Sequence, residues 1–406
     1  MMDKLRIVFI GYWGVEEGLT VSTIIPWLRI MQAAEEVEQV TFCTIERNSV
    51  PPGANNNLTA LLKIKHVPLY SVSRGAVLAT KISDFMQFPR EISHLVQQHK
   101  ANLLFAHGAP AGALAYKVWK TNRLPFYVSS FEPHADYMLE SGVWNKRGLK
   151  YLFQKYWERK QILHASGLIP VAETYRQSLL QKGVPAHKVK VVPSPVRLQE
   201  FAFNPALRAK VRDRLHLQNA IVGIYAGKYG DMYYREEAFC IYQKCFDVID
   251  DFRLIILSPQ PKEEILQLLR ENNIDSSKVY VTSVLHHEVP AYLSASDFAF
   301  ATYRASPSKK YLSPVKVGEY WANGLPVLLT EGVGDDSEII KGEGGGALFN
   351  LEEDKSVEKA IAKVIRVVKE PNHRKQICKL AEKYRSENKM QEAFDYFFGK
   401  EQGGQR

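Results

Sequence analysis

Lys316 and Glu319 lie one helical turn apart in SPVKVGEYWANGLPV, Ser313 to Val327. Around them Val315, Val317, Tyr320, Trp321 and Ala322 would cover most of a helix surface, leaving the two charges little access to solvent. A carboxylate is rarely buried without a partner. Glu319 must then meet either a ligand or an internal cation, and Lys316 at i−3 is the obvious internal one. A carboxylate can accept both protons of two adjacent hydroxyls, as on a ribose, and this ligand reading is the stronger. Ser313 can cap the helix, Pro314 suits its first turn, and the free N–H groups there offer an anion cradle.

A second group follows the strand-like run AIVGIYAG, in AGKYGDMYYREEAF. Gly227 and Gly230 let the backbone bend close to a ligand. Lys228 stands at the strand's end and Arg235 opens the next helix, so a diphosphate would gain charge-assisted hydrogen bonds there. The competing reading makes both cations ordinary surface charges. In the first half, Glu132 and His134 occupy a loop in VSSFEPHADYMLESGVW, and His107 precedes GAPAG. A histidine in such a loop can bond a sugar hydroxyl or move a proton, so His134 and Glu132 are the catalytic candidates. A purely structural histidine is the alternative, and Asp136 is the weaker acid of the group.

The loop GYWGVEEGLT carries Gly11, Gly14 and Gly18, but not at the spacing of a dinucleotide fingerprint. Glu46 follows Gly11 by 35 positions, where a ribose-binding acid would follow by about 20. Gly14 and Glu17 are therefore read as a loop that either only turns the chain or touches a phosphate or an acceptor. No metal site is expected. His286, His287 and Glu288 do not form an HExxH pattern, Asp335 and Asp336 are adjacent, and the four cysteines lack zinc spacing. No resident cofactor is implied either.

These residues need a scaffold that brings strand ends and helix starts together. LRIVFI, VTFCTI, NLLFAH, PFYVSS, GLIPVA and VKVVPS read as strands of one series, separated by helical stretches such as ETYRQSLLQKG. The rhythm restarts with AIVGIYAG, FRLIILS, KVYVTS, FAFATY, PVLLT and GALF. Alternation of this kind specifies parallel sheets covered on both faces, with ligands at the carboxyl ends of the strands. The fold class expected is α/β, with two Rossmann-like, doubly wound domains and C-terminal helices. The boundaries are residues 1–200, 201–385 and a final helix in 386–406 that packs back toward the first domain.

The 406 residues are too many for one core, and 46% apolar content fits a folded protein. A net charge of +9 draws the chain toward polyanions without choosing among them. The stretch WNKRGLKYLFQKYWERKQILHA interleaves six Lys and Arg with aromatics. It could lie on an anionic membrane surface, or be a helix with an aromatic core face and solvated cations. No nucleic-acid motif is present. The N-terminal run is too short for a signal peptide, and no run of about 18 apolar residues spans a bilayer, so a cytoplasmic location is expected, at most peripheral to a membrane.

AGKYG, SPVKVGEYWANGLPV and GVGDDSEII together resemble the nucleotide-sugar half of a GT-B glycosyltransferase, of the retaining group called glycosyl transferases group 1. KGVPAHKVKVVPSPV and SVLHHEVPAYLSASDFAF extend the resemblance along nearly the whole chain. It implies two domains facing across a cleft, with Glu319 on the donor ribose and Lys228 as one diphosphate clamp; Gly227, Arg235, Ser313 and Lys316 are counted beside them as donor-binding residues. Arg235 lies slightly too far along to match the second clamp. Many members carry another Glu eight positions before the first, where this chain has Tyr311, which leaves the donor sugar open. The activity implied is metal-independent, retaining hexosyl transfer from a UDP- or GDP-linked sugar to a glycan or lipid-linked saccharide, in cell-surface polysaccharide assembly. A sugar-nucleotide epimerase or hydrolase of the same plan is the alternative, as is a non-catalytic nucleotide-sugar-binding protein.

Overall fold

In the computed structural model, residues 4–47, 58–75 and 77–399 are described. Chain contacts divide them into two units. The first takes the chain up to Leu139, then Trp144–Pro195 and the segment from Glu387; the second takes Glu140–Val143 and Val196–Ser386.

The first unit is a six-stranded parallel sheet of β1 (Leu5–Gly11), β2 (Val37–Glu46), β3 (Ile64–Tyr70), β4 (Leu103–His107), β5 (Phe126–Phe131) and β6 (Gly167–Pro170). Its spatial order is β3-β2-β1-β4-β5-β6. The apolar runs of β1 and β4 arise because both strands lie mid-sheet, with helices on either face. Two elements differ from the sequence reading. IKHVPLY, not read as a strand, forms β3: it lies at the sheet edge, where a polar alternation and Pro68 are tolerated. VKVVPS, read as a strand, is not one. Lys190 and Val192 donate to Leu168 and Pro170 carbonyls along β6, but only an isolated bridge forms at Val189 and Pro193 stops the ladder.

The second unit repeats the plan with β7 (Ile221–Ala226), β8 (Phe252–Leu257), β9 (Val279–Thr282), β10 (Phe298–Ala301), β11 (Val327–Thr330) and β12 (Gly346–Phe349), in the order β12-β11-β10-β7-β8-β9. All ladder pairs in both sheets are parallel. In each sheet the winding reverses between the first and fourth strands in sequence, β1/β4 and β7/β10. Such reversals open a crevice at the carboxyl ends of those strands.

The last helix, Asn388–Phe398, belongs to the first unit. Met390, Ala393, Phe394, Phe397 and Phe398 join Trp27, Phe105 and Tyr127 in one apolar cluster, with the Phe398 and Tyr127 rings 4.8 Å apart. Helix periodicity puts these five on one stripe. Truncating Phe394, which is 1% exposed, to alanine should destabilise the first unit by about 3–5 kcal/mol. Denaturant unfolding of the full chain should show the loss in the first unit's transition.

Candidate donor and acceptor sites

The carboxyl end of the β7/β10 crevice is roofed by the helix Val315–Ala322. Pro314 stands at its N-cap position with an extended ψ. The N-cap position falls to Pro314 and not to Ser313, contrary to the sequence reading, and the Ser313 hydroxyl accepts from the Arg385 guanidinium. Arg385 also grips both Asp336 oxygens, at 2.5 and 2.6 Å, and each partner is only 2% exposed. Gly318 lets the helix sit against this pair, since a Cβ there would fall 3.1 Å from Arg385 Cγ and 2.7 Å from Val196 Cγ2. At the helix's far end, Ala226 at the tip of β7 donates to the Tyr320 hydroxyl at 3.0 Å, and Trp321 Nε1 donates to Gly345 O at 2.9 Å.

So held, the helix presents Lys316 and Glu319 to the crevice. They do not pair with each other. Glu319 is buried, and its Oε1 lies 2.8 Å from His286 Nε2, on a half-exposed ring. Lys316 keeps some exposure as a residue, but its Nζ is buried and has no hydrogen-bond partner. It sits over three tyrosine rings, 4.2 Å from Tyr233, 4.6 Å from Tyr225 and 5.6 Å from Tyr303. Burial pushes its ammonium down to about 7, against the opposing pull of Glu319. Gly227, at φ +147°, closes the group: a Cβ there would come within 2.6 Å of the Lys316 ammonium.

Gly227, Lys316 and Glu319 thus converge, while Lys228 and Arg235 stand apart from them in ion pairs. Lys228 bonds Asp231 at 2.7 Å in an exposed i, i+3 pair. Arg235 is shared by Glu236 and Glu264, each at 2.9 Å. The sequence reading missed the tyrosines and the His286 partnership. The density of tyrosine in YAGKYGDMYYR was a signal for the former; the latter joins residues 33 positions apart and left none.

In the first unit, His107 ends β4 at the β1/β4 crevice and is 3% exposed. Its Nε2 lies 3.0 Å from Thr23 Oγ1, and its Nδ1 2.8 Å from Ser129 Oγ. Thr23 spends its own proton on Leu19 O at 2.6 Å, so Nε2 donates to it, and Nδ1 of the neutral ring is left as an acceptor facing the Ser129 hydroxyl, which also has Ala106 O within 3.3 Å. Burial pushes the imidazole down to about 3, which fixes it neutral. It lines a small cavity with Thr23, Trp27, Ser130 and Met390, where Ser130 holds a left-handed φ of 50°. A π-helical turn, Thr20–Ile24, brings Thr23 there.

The Gly14 loop is closed by the chain's own acids. Gly14 N–H donates to Glu17 at 3.0 Å and Val15 N–H to Glu46 at 2.9 Å, while Arg47 also binds Glu17. Glu46 therefore holds the loop from within instead of reaching a ribose. Glu132 follows β5, and its carbonyl accepts the N–H of His134, which opens the short helix His134–Glu140. Burial, with Lys81 nearby, holds the His134 imidazole below its ordinary value, and Trp144 packs edge-on at 5.7 Å. Asp136 is engaged by Lys155 at 2.6 Å. Among the described residues, no three His, Cys, Asp or Glu side chains gather in a way that could hold a metal ion.

The helix Leu149–His164 presents the faces opposite to those of a core helix. Gln154, Glu158 and Gln161 are buried, and Glu158 accepts the Ala135 N–H at 2.8 Å. Leu149, Leu152, Phe153, Tyr156 and Leu163 are about half exposed or more, beside exposed Lys146, Arg147, Lys150 and Arg159. Among the described residues no helix is long and apolar enough to cross a membrane.

Two crevices at winding reversals, one roofed by a Lys–Glu helix, define a two-domain GT-B architecture. Residues 27–195 match the glycosyl transferase 4-like domain, and residues 224–368 match the domain of glycosyl transferases group 1. The chain belongs to this glycosyltransferase family. The sequence finds no match among curated proteins. Among solved structures it is similar to HepE of Anabaena in complex with UDP, with TM-score 0.72 at 13% identity over 97% of this chain and 99% of that one. Sucrose-phosphate synthase of Thermosynechococcus elongatus gives 0.72 at 15% identity, covering 97% and 99%. UDP-GlcNAc 2-epimerase of Neisseria meningitidis, bound to UDP-GlcNAc, gives 0.63 at 11%, covering 97% and 99%.

The Glu319 bond raises the His286 pKa above its ordinary value. The stability it lends is fully present below the unfolded value of about 6.5 and is lost as pH rises through the folded value. His286→Ala should lower the melting temperature at about pH 6 and change it little at about pH 8.5, as thermal scans at the two pH values would read.

Proposed function

We propose that this chain is a metal-independent, retaining glycosyltransferase. It would move a hexose from a UDP- or GDP-linked donor to a glycan or lipid-linked saccharide in cell-surface polysaccharide assembly. The observation that carries the reading is Glu319, a buried carboxylate at the carboxyl end of β7/β10 whose hydrogen-bond partner is the half-exposed His286. A donor ribose can take that carboxylate's acceptor capacity through two adjacent hydroxyls. The complex of HepE with UDP supports a nucleoside diphosphate as the donor's leaving part.

In this reading the bond from the sugar's C1 to the phosphate oxygen breaks, and a bond from C1 to the acceptor oxygen forms on the same face. The acceptor's proton passes to the departing phosphate. Negative charge grows on the diphosphate, and fixed cations and helix N–H groups stabilise it. The first unit is assigned the acceptor, with Glu132 and His134 as its polar contacts. A neutral His134 imidazole can accept a hydrogen bond from an acceptor hydroxyl.

The helix Leu149–His164 supports a peripheral membrane location at the cytoplasmic face. Exposed leucines and aromatics among Lys and Arg match an anionic lipid surface in both apolarity and charge.

Calorimetric titration with UDP, GDP, ADP and CMP, and their common sugar conjugates, in EDTA should find one nucleotide bound selectively. Glu319→Ala should weaken it by about tenfold or more, the loss of one charge-assisted hydrogen-bond set. Unchanged affinity in that variant would remove Glu319 from the ribose, and loss of binding in EDTA would refute metal independence. Vesicles rich in anionic lipid should retain the wild type, and the triple change Leu149→Ser, Leu152→Ser, Phe153→Ser should release it without altering nucleotide affinity. Equal retention of the variant would refute the membrane assignment.

A further inference from the structure

Resting on the donor-site reading above, we propose that Lys316 is the cation that receives the donor's diphosphate, and that donor binding is coupled to uptake of one proton at this side chain. Four observations lead there. The Lys316 Nζ is buried and has no acceptor for any of its three N–H bonds. Its nearest neighbours are ring faces, which attract a cation but satisfy no hydrogen bond. The space beside it is kept open by the absence of a side chain at Gly227, on the loop that follows β7. Finally, Lys228 and Arg235 already have carboxylate partners, so Lys316 is the cation of this group left to be completed by a ligand anion.

The groups around Lys316 determine its charge. Tyr225 on β7, Tyr233 on the following loop, Tyr303 after β10 and Tyr320 on its own helix are all held above the ordinary phenol value by burial, and stay neutral. Glu319 is the carboxylate that acts on Lys316, and its Oε1 is engaged by His286. Lys228 and Asp231 act on Tyr233 with opposite sign. With burial dominant, the amine titrates near 7 in the absence of ligand. A phosphate at hydrogen-bond distance favours the ammonium and moves the titration back up. Binding above neutrality therefore takes up a proton, and affinity falls toward about tenfold per pH unit as the medium becomes more alkaline. Below neutrality the ammonium is already formed and affinity levels off.

The test uses the full chain and UDP-glucose, with the corresponding GDP, ADP and CMP sugars as further probes, since these sugar-capped phosphates do not themselves ionise near neutrality. Calorimetry at about pH 6.5, 7.5 and 8.5, in buffers of different ionisation heat, reads affinity and proton uptake together. The expected result is uptake of about a quarter of a proton at the lowest pH, approaching about one proton at the highest, with affinity lower by about tenfold between the upper two. Lys316→Met should bind more weakly at the lowest pH and lose the pH dependence. Lys316→Arg should lose the pH dependence while keeping a positive charge. His286→Ala should retain the uptake. Circular dichroism melts establish that each variant is folded. Because a ribose on Glu319 releases His286, the deciding background is His286→Ala: binding by that variant without proton uptake, or uptake that persists in Lys316→Met, overturns the inference and leaves the donor-site reading standing. Failure of every probe to bind overturns that reading, and this inference with it.

Discussion

An ammonium withdrawn from water without a hydrogen-bond acceptor is costly, and the second unit is organised around keeping one in place. The cost is tolerated because the helix carrying Lys316 cannot move away. One side is fastened by the buried Arg385–Asp336 pair and the Ser313 contact, the other by Tyr320 at the tip of β7 and Trp321 at Gly345. Three phenol rings supply a partial electrostatic substitute for solvent. Removing one of these supports would let the helix relax and return Lys316 to water. The surrounding ion pair is thus best understood as a clamp on geometry, consistent with the weak net stabilisation expected of buried pairs.

Both units place their polar chemistry where the order of strands reverses, and they use that position differently. In the second unit the crevice is left electrostatically unfinished. In the first, the equivalent loop is finished internally: Glu17 and Glu46 take the N–H groups of Gly14 and Val15, and His107 is locked neutral between Thr23 and Ser129. The same architecture therefore offers one anion-seeking crevice and one neutral, hydroxyl-lined crevice. That asymmetry follows from side chains, since the two sheets share the same winding.

Much of this was legible in the sequence, for identifiable reasons. Strands buried on both faces announce themselves as continuous apolar runs, so β1, β4, β7 and β10 could be read directly. One edge of the first sheet could not: β3 alternates and contains Pro68, while beyond β6 at the other edge Val189–Ser194 has strand composition without a ladder. Lys316 and Glu319 were conspicuous because charge on an apolar helix needs a reason. Their separate partners were invisible, because His286 and the tyrosines come from other segments of the chain. The inverted helix at Leu149–His164 shows the limit of composition. Its polar and apolar residues were evident, but only packing decides that Gln154, Glu158 and Gln161 turn inward.

The placement of the helix Asn388–Phe398 has a consequence for how the protein is made. Its phenylalanines fill the core beneath β1, β4 and β5, yet they leave the ribosome after the entire second unit. The first sheet to be synthesised must wait, with an apolar face uncovered, until the last helix arrives. Folding during synthesis normally completes domains in the order of their appearance. Here the order is reversed for the final step, and the second unit can close first. That interval is when the nascent chain is most exposed to aggregation, and when a chaperone would have the most to cover.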